Sequence, residues 1–86
     1  MNKITFAELR ALVEAGAVVE VTLEAAGQRF LLKVTTRHAE AVLVATNNRD
    51  KPRAFSDPRR AMSILRGIGV RRVVLDCVRW TPEQAE

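Results

Sequence analysis

Apolar and polar positions change period several times along this chain, and each change marks an element. Phe6, Leu9, Leu12 and Val13 recur at helical spacing, which predicts an amphipathic helix. Thr5-Phe6-Ala7-Glu8 fits a capping box, in which hydroxyl and carboxylate satisfy each other's exposed amides. Gly16 closes the helix after Ala15. From Val18 to Ala25 the period drops to two, with Val19, Val21 and Leu23 against Glu20, Thr22 and Glu24. This is the pattern of a strand with one wet face. Ala26-Gly27 turns the chain, and Gln28–Thr36 returns as a second strand with Phe30, Leu32 and Val34 inward. Arg37-His38 forms the next turn. Glu40–Thr46 is apolar on both faces, so it predicts a third strand in a central position.

The second half begins with a polar stretch, Asn47–Pro52, read as a loop. Arg53–Phe55 is a short fourth strand, near an edge or at its own start because Pro52 cannot donate to a ladder. Asp57-Pro58 starts a second helix: the Asp accepts from first-turn amides, and Pro loses only an amide that has no partner there. Ala61, Ile64, Leu65 and Ile68 line one face of it, while Arg59, Arg60, Ser63 and Arg66 fall mostly on the other. Gly67 and Gly69 stop it. Val70–Val78, rich in β-branched residues, predicts a last strand. Residues 81–86 lack apolar anchors and are expected to fray.

The order α-β-β-β-(β)-α-β predicts a single α+β domain over residues 1–86. Its frame is one mostly antiparallel sheet of four to five strands with both helices on one face. A meander with the last strand returned beside the first gives strand order 5-1-2-3-4. An open sheet edge in such a fold invites another strand. At 86 residues the chain has one core to build. Its single cysteine cannot form an internal disulfide, which argues for a reducing compartment and a cytoplasmic location. The start of the chain has no signal-peptide pattern. No apolar run reaches the roughly 18 residues of a membrane span.

The net charge of +4 is unevenly placed. Up to Thr46, five basic residues meet five acidic ones; from Asn47 to Trp80, nine basic residues meet three, leaving +6. Arg49, Lys51, Arg53, Arg59, Arg60, Arg66, Arg71 and Arg72 are therefore the candidate surface for a polyanion, with Trp80 as an anchor for a partner. The other reading of these cations is an ordinary solvated face. An Asp at the second helix's start opposes an anion there, and no aromatic platform for stacking bases is evident. Binding of this kind would be backbone-directed and salt-sensitive.

Chemistry of other kinds has little to stand on. His38 is placed at a turn, and Cys77 on a buried strand face with Val73 and Leu75, where a thiol behaves as a small hydrophobe. An enzyme built on this pair would need a third orienting group. There is no metal-ligand spacing, and Gly67-Ile68-Gly69 follows a helix, the reverse of a dinucleotide site. No catalytic residue, metal or cofactor is therefore expected.

LRALVEAGAV near the start and FSDPRRAMSILRGIGVRRVVLD later resemble the small partition-associated (ParC-like) proteins encoded on plasmids and integrative elements. The resemblance covers both helices and the last strand. It implies an accessory role beside a partition ATPase and its DNA-binding partner, and no active site. The readings that follow are a non-enzymatic accessory or protein-interaction module, using a sheet edge or the Trp80 face for a protein partner or a second copy. The alternative is nucleic-acid binding through the arginines.

Overall fold

A computed structural model describes residues 2–81. Among them lie two helices and seven strands: β1 (Asn2–Ile4), α1 (Phe6–Glu14), β2 (Val18–Ala26), β3 (Arg29–Thr36), β4 (Glu40–Ala45), β5 (Asn48–Pro52), β6 (Ala54–Phe55), α2 (Pro58–Gly67) and β7 (Val74–Asp76). The α+β class holds. The sheet is larger and more mixed than the sequence predicts. Its order is β1-β4-β3-β2-β7, with β5 on β4 and β6 on β3. β1–β4 and β2–β7 are parallel pairs, and the other four are antiparallel.

The helix ends follow from local chemistry. Thr5 Oγ1 accepts from the Glu8 amide at 3.3 Å, and Glu8 Oε1 accepts from the Thr5 amide at 2.8 Å, so the capping box is complete. Asp57 accepts from the Arg59 amide at 2.9 Å ahead of Pro58. Both helices stop the same way. The Gly16 and Gly69 amides reach back to Val13 and Arg66, and those of Ala17 and Val70 to Leu12 and Leu65. This Schellman pattern needs a left-handed residue, and Gly16 (φ 71) and Gly69 (φ 104) supply it. Gly67 is not a stop; it is the last helical residue.

The hairpin between β2 and β3 closes over two residues, with Ala26 opposite Arg29. Gly27 takes φ 71 while Gln28 stays negative, the sign pattern of a type II′ turn. Val21 and Leu23 lie inward as expected and, with Ala25, face Phe30, Leu32 and Val34; all six are buried. Val19 is instead 64% exposed, because a register shift between Val18 and Glu20 breaks the alternation there. β4 is internal, and its neighbouring residues Leu43 and Val44 are both buried, as two apolar faces require.

Four expectations are corrected. Asn48–Pro52 is a strand rather than a loop, because a tight turn at Thr46 and Asn47 folds it back on β4. Ala54–Phe55 pairs with β3 and not with β4, so the outer position of the meander is vacated. That outer position goes to β1, a strand the apolar pattern does not disclose. The last strand does lie beside the Val18 strand, but only Val74–Asp76 pair with it, in place of Val70–Val78. Fraying was expected of residues 81–86. Thr81 donates to the Gly27 carbonyl at 2.9 Å, and the remainder lies outside the described residues.

The single covered face has a topological cause. β1 and β2 run in the same direction, and so do β6 and β7, so each helix spans a crossover between like-directed strands. Both crossovers step the same way across the sheet, from the β1 side towards β7. Such connections share one hand, so equal steps put both helices on the same side. Leu9 of α1 and Ala61 and Leu65 of α2 accordingly join the inward sheet residues in one buried cluster. The other face carries Glu24, Lys33 and Glu40, with the ammonium 3.5 Å and 4.0 Å from the two carboxylates.

Candidate functional site

The arginine-rich half of the chain does not gather into one surface. Arg49, in β5, is spent on structure: its guanidinium lies 3.1 Å from Glu8 Oε1 and 3.0 Å from the Lys3 carbonyl. Lys3 in turn reaches Asp50 at 2.9 Å. These contacts tie β5 to β1 and to the start of α1. The Thr5 amide, and after it Arg49, hold the Glu8 carboxyl below the usual range. The hydrogen bond and charge of Lys3 do the same for Asp50.

Arg53 stacks over the Phe55 ring, 5.1 Å from its centroid. It shares a shallow cleft at the start of α2 with Asp57 and Arg60. Arg59 sits 3.7 Å from Asp57, both exposed. Arg66 lies in the last turn of α2, where a cation complements the helix dipole. Arg71 and Arg72 follow the Schellman turn and line a different cleft with Val13, Gly16 and Gly69. The ten residues of α2 separate the two clefts, a length of about 15 Å. Lys51 is exposed on β5, on neither.

His38 and Cys77 are also apart. His38 is exposed at the turn after β3, beside Leu12, Ala17 and Arg37. Cys77 lines the opposite face with Thr22, Lys33 and Glu40. Cys77 is exposed, which corrects its placement on a buried strand face. The cause is Asp76, whose Oδ1 accepts from the Val78 amide at 3.0 Å and turns the chain before alternation can continue. No group of three metal-ligating side chains occurs among the described residues. No helix among them is long and apolar enough to cross a membrane.

What the structure does gather is apolar surface beside an open edge. Among the described residues, β7 has a neighbour on one side only, β2. Val74 is 43% exposed, Leu75 51%, Val78 89% and Trp80 46%. Trp80, the expected anchor for a partner, is only partly free for that role. Its backbone bridges to Gly27, and its ring tilts against Phe30 at 6.4 Å between centroids. It therefore flanks the core at the rim of the sheet. A strand with one neighbour leaves the N–H and C=O of every second residue unpaired. Exposed apolar side chains beside such groups suit an added strand. The expected order 5-1-2-3-4 already set the last strand at an edge. What the sequence does not disclose is which of its apolar residues are exposed, because Val73-Val74-Leu75 reads equally well as a covered strand.

Comparison with protein-family models, with curated proteins and with solved structures finds no match.

Proposed function

We propose that this chain is a non-enzymatic protein-interaction module that takes an extended segment of a partner protein along β7. One observation carries the reading: Val74 and Leu75 are exposed on a sheet edge left open among the described residues, with Val78 and Trp80 exposed just beyond it. Main-chain hydrogen bonds to the edge would supply affinity, and the apolar side chains would select the sequence laid against them. An accessory role beside a partition ATPase, which the resemblance of both helices implies, is compatible with such a module. It asks for a docking surface and no reaction.

The alternative, backbone-directed nucleic-acid binding, has less support from the geometry. Of the eight cations, Arg49 and Arg59 have carboxylate partners and Arg53 lies over a ring. The others are divided among β5 and the two ends of α2.

Selection of unstructured peptides against the folded protein, followed by amide NMR titration, tests the reading. Selected peptides should alternate apolar residues, shift the amides of Val74–Val78, and lose binding to the Val74→Lys variant, since an edge lysine opposes strand addition. A selection whose binders never map to β7 refutes it. A short duplex that instead shifts the Arg60–Arg72 amides, with the shifts fading as salt is raised, moves the assignment to nucleic acid.

A further inference from the structure

The edge carries its own complement. From Arg72 to Asp76 the chain reads Arg-Val-Val-Leu-Asp: a cation, three apolar residues and an anion. We infer that the segment docking on β7 is β7 of a second copy, paired antiparallel about a two-fold axis at Val74, with Arg72 of each chain opposite Asp76 of the other. The inference rests on the reading of β7 as a docking edge and names its partner.

Symmetry narrows the register to very few choices. A two-fold axis perpendicular to a sheet relates antiparallel strands with their faces kept, so it must pass beside a residue paired with its own copy. An axis at Val73 sets Arg72 against Val74, and Asp76 against Val70. An axis at Leu75 sets Asp76 against Val74, and Arg72 against Val78. Only the axis at Val74 pairs Arg72 with Asp76, and symmetry makes the pair twice. Opposite charges directly across a ladder stabilise it, and like charges oppose it.

Local geometry leaves both groups free for this. Arg72 is exposed and has no carboxylate within 4.0 Å among the described residues. Asp76 uses Oδ1 for the Val78 amide, so Oδ2 remains to accept. The same pairing sets Val73 of one copy against Leu75 of the other on the helix-bearing face. It brings the two exposed Val74 side chains together on the opposite face. The helices of both copies then lie on the same side of one continuous sheet.

Sedimentation equilibrium from about 1 µM to about 1 mM, the range in which small interfaces associate, reads the dimer directly. Wild-type protein should dimerise reversibly. Arg72→Asp alone and Asp76→Arg alone should each raise the dissociation constant about tenfold or more, because each sets like charges opposite one another. An equimolar mixture of these two variants should form a heterodimer, since both pairs are again opposite in sign. If Asp76→Arg merely disturbs its turn, the mixture stays monomeric, and a second measurement then decides.

In a Cys77→Ser background, Val74→Cys should cross-link to its own copy under mild oxidation. Directly opposed residues sit about 4.5–5.5 Å apart, within disulfide reach. Leu75→Cys should not, because its copy lies diagonally at about 7–8 Å. A wild-type monomer at the highest concentration, or cross-linking as fast through Leu75→Cys as through Val74→Cys, overturns the inference. If selected peptides still bind β7 in that event, the docking edge survives without this partner. If they do not, both readings fall.

Discussion

Leu65 is the test of how firmly α2 holds the sheet. Its side chain is fully buried in the cluster shared with Leu9, Val21 and Leu23. Its carbonyl accepts from the Val70 amide in the Schellman turn. Leu65→Ala leaves that carbonyl in place and exchanges a good helix former for a better one. The loss is therefore confined to burial and to the cavity left behind, about 2–5 kcal/mol for such a site. A chain of 86 residues has a total stability of about 4–13 kcal/mol, so this one truncation removes a large share. For a domain this size, each kcal/mol moves the midpoint by about 4–8 °C, so a loss of 3 kcal/mol predicts a fall of about 12–24 °C in Tm. Met62, one turn back and 44% exposed, is the control. Met62→Ala should stay within about 0.5 kcal/mol of wild type. Thermal unfolding followed by circular dichroism separates the two. A Leu65→Ala midpoint within a few degrees of the Met62→Ala midpoint would show that α2 does not hold the sheet as described.

Two further outcomes follow from particular residues. Gly67 has an ordinary helical φ and open space where a Cβ would stand, so Gly67→Ala should stabilise by about 0.5–1 kcal/mol. Gly69→Ala should destabilise by about 1–2 kcal/mol in the same unfolding assay. The new Cβ would meet Val13 Cγ1 at an ordinary 3.5 Å, so the cost comes from φ 104. Equal signs for the two substitutions would contradict the Schellman assignment. The carboxyls of Glu8 and Asp50 both have folded pKa values lowered by their partners. Their contribution is thus present above the unfolded values and lost as pH falls through the folded ones. β5 should stay tied to β1 and α1 at neutral pH and loosen only in acid. Side-chain carboxyl NMR titrations check this; midpoints at or above the ordinary carboxylate range count against the contacts.

The residues whose structure is decided by close neighbours are the ones legible in the sequence. Thr5 with Glu8, Asp57 with Pro58, and the stripe through Ala61 and Leu65 each carry their own instruction. So does the alternation through Val21, Leu23, Phe30 and Leu32. Asn2–Ile4 carries none, since three residues show no period and their strand character depends on Ala41–Leu43 far along the chain. Asn48–Pro52 has the composition of a loop and becomes a strand through its turn onto β4. For Val70–Val78, β-branching predicted strand throughout, but the extent of pairing is set by where β2 meets it, at Thr22–Glu24. The candidate site suffered most from this dependence. Charge clustering along the sequence suggested one basic patch, and the fold sends Arg53 and Arg72 to opposite ends of α2. Whether Val74 and Leu75 are covered is a property of strand order, which no local pattern records.

The parallel join of β2 to β7 bears on the energetics of assembly. Thr22 meets Lys33 across the hairpin at a separation of 33 − 22 = 11 residues, and meets Val74 at 74 − 22 = 52. Closing the longer span costs about 1.4 kcal/mol more chain entropy. In return β7 gains three paired positions, where β3 gains eight. This outer ribbon thus offsets a longer closure with fewer pairs than the hairpin does, and any chain that added itself there would also strengthen its hold on the sheet.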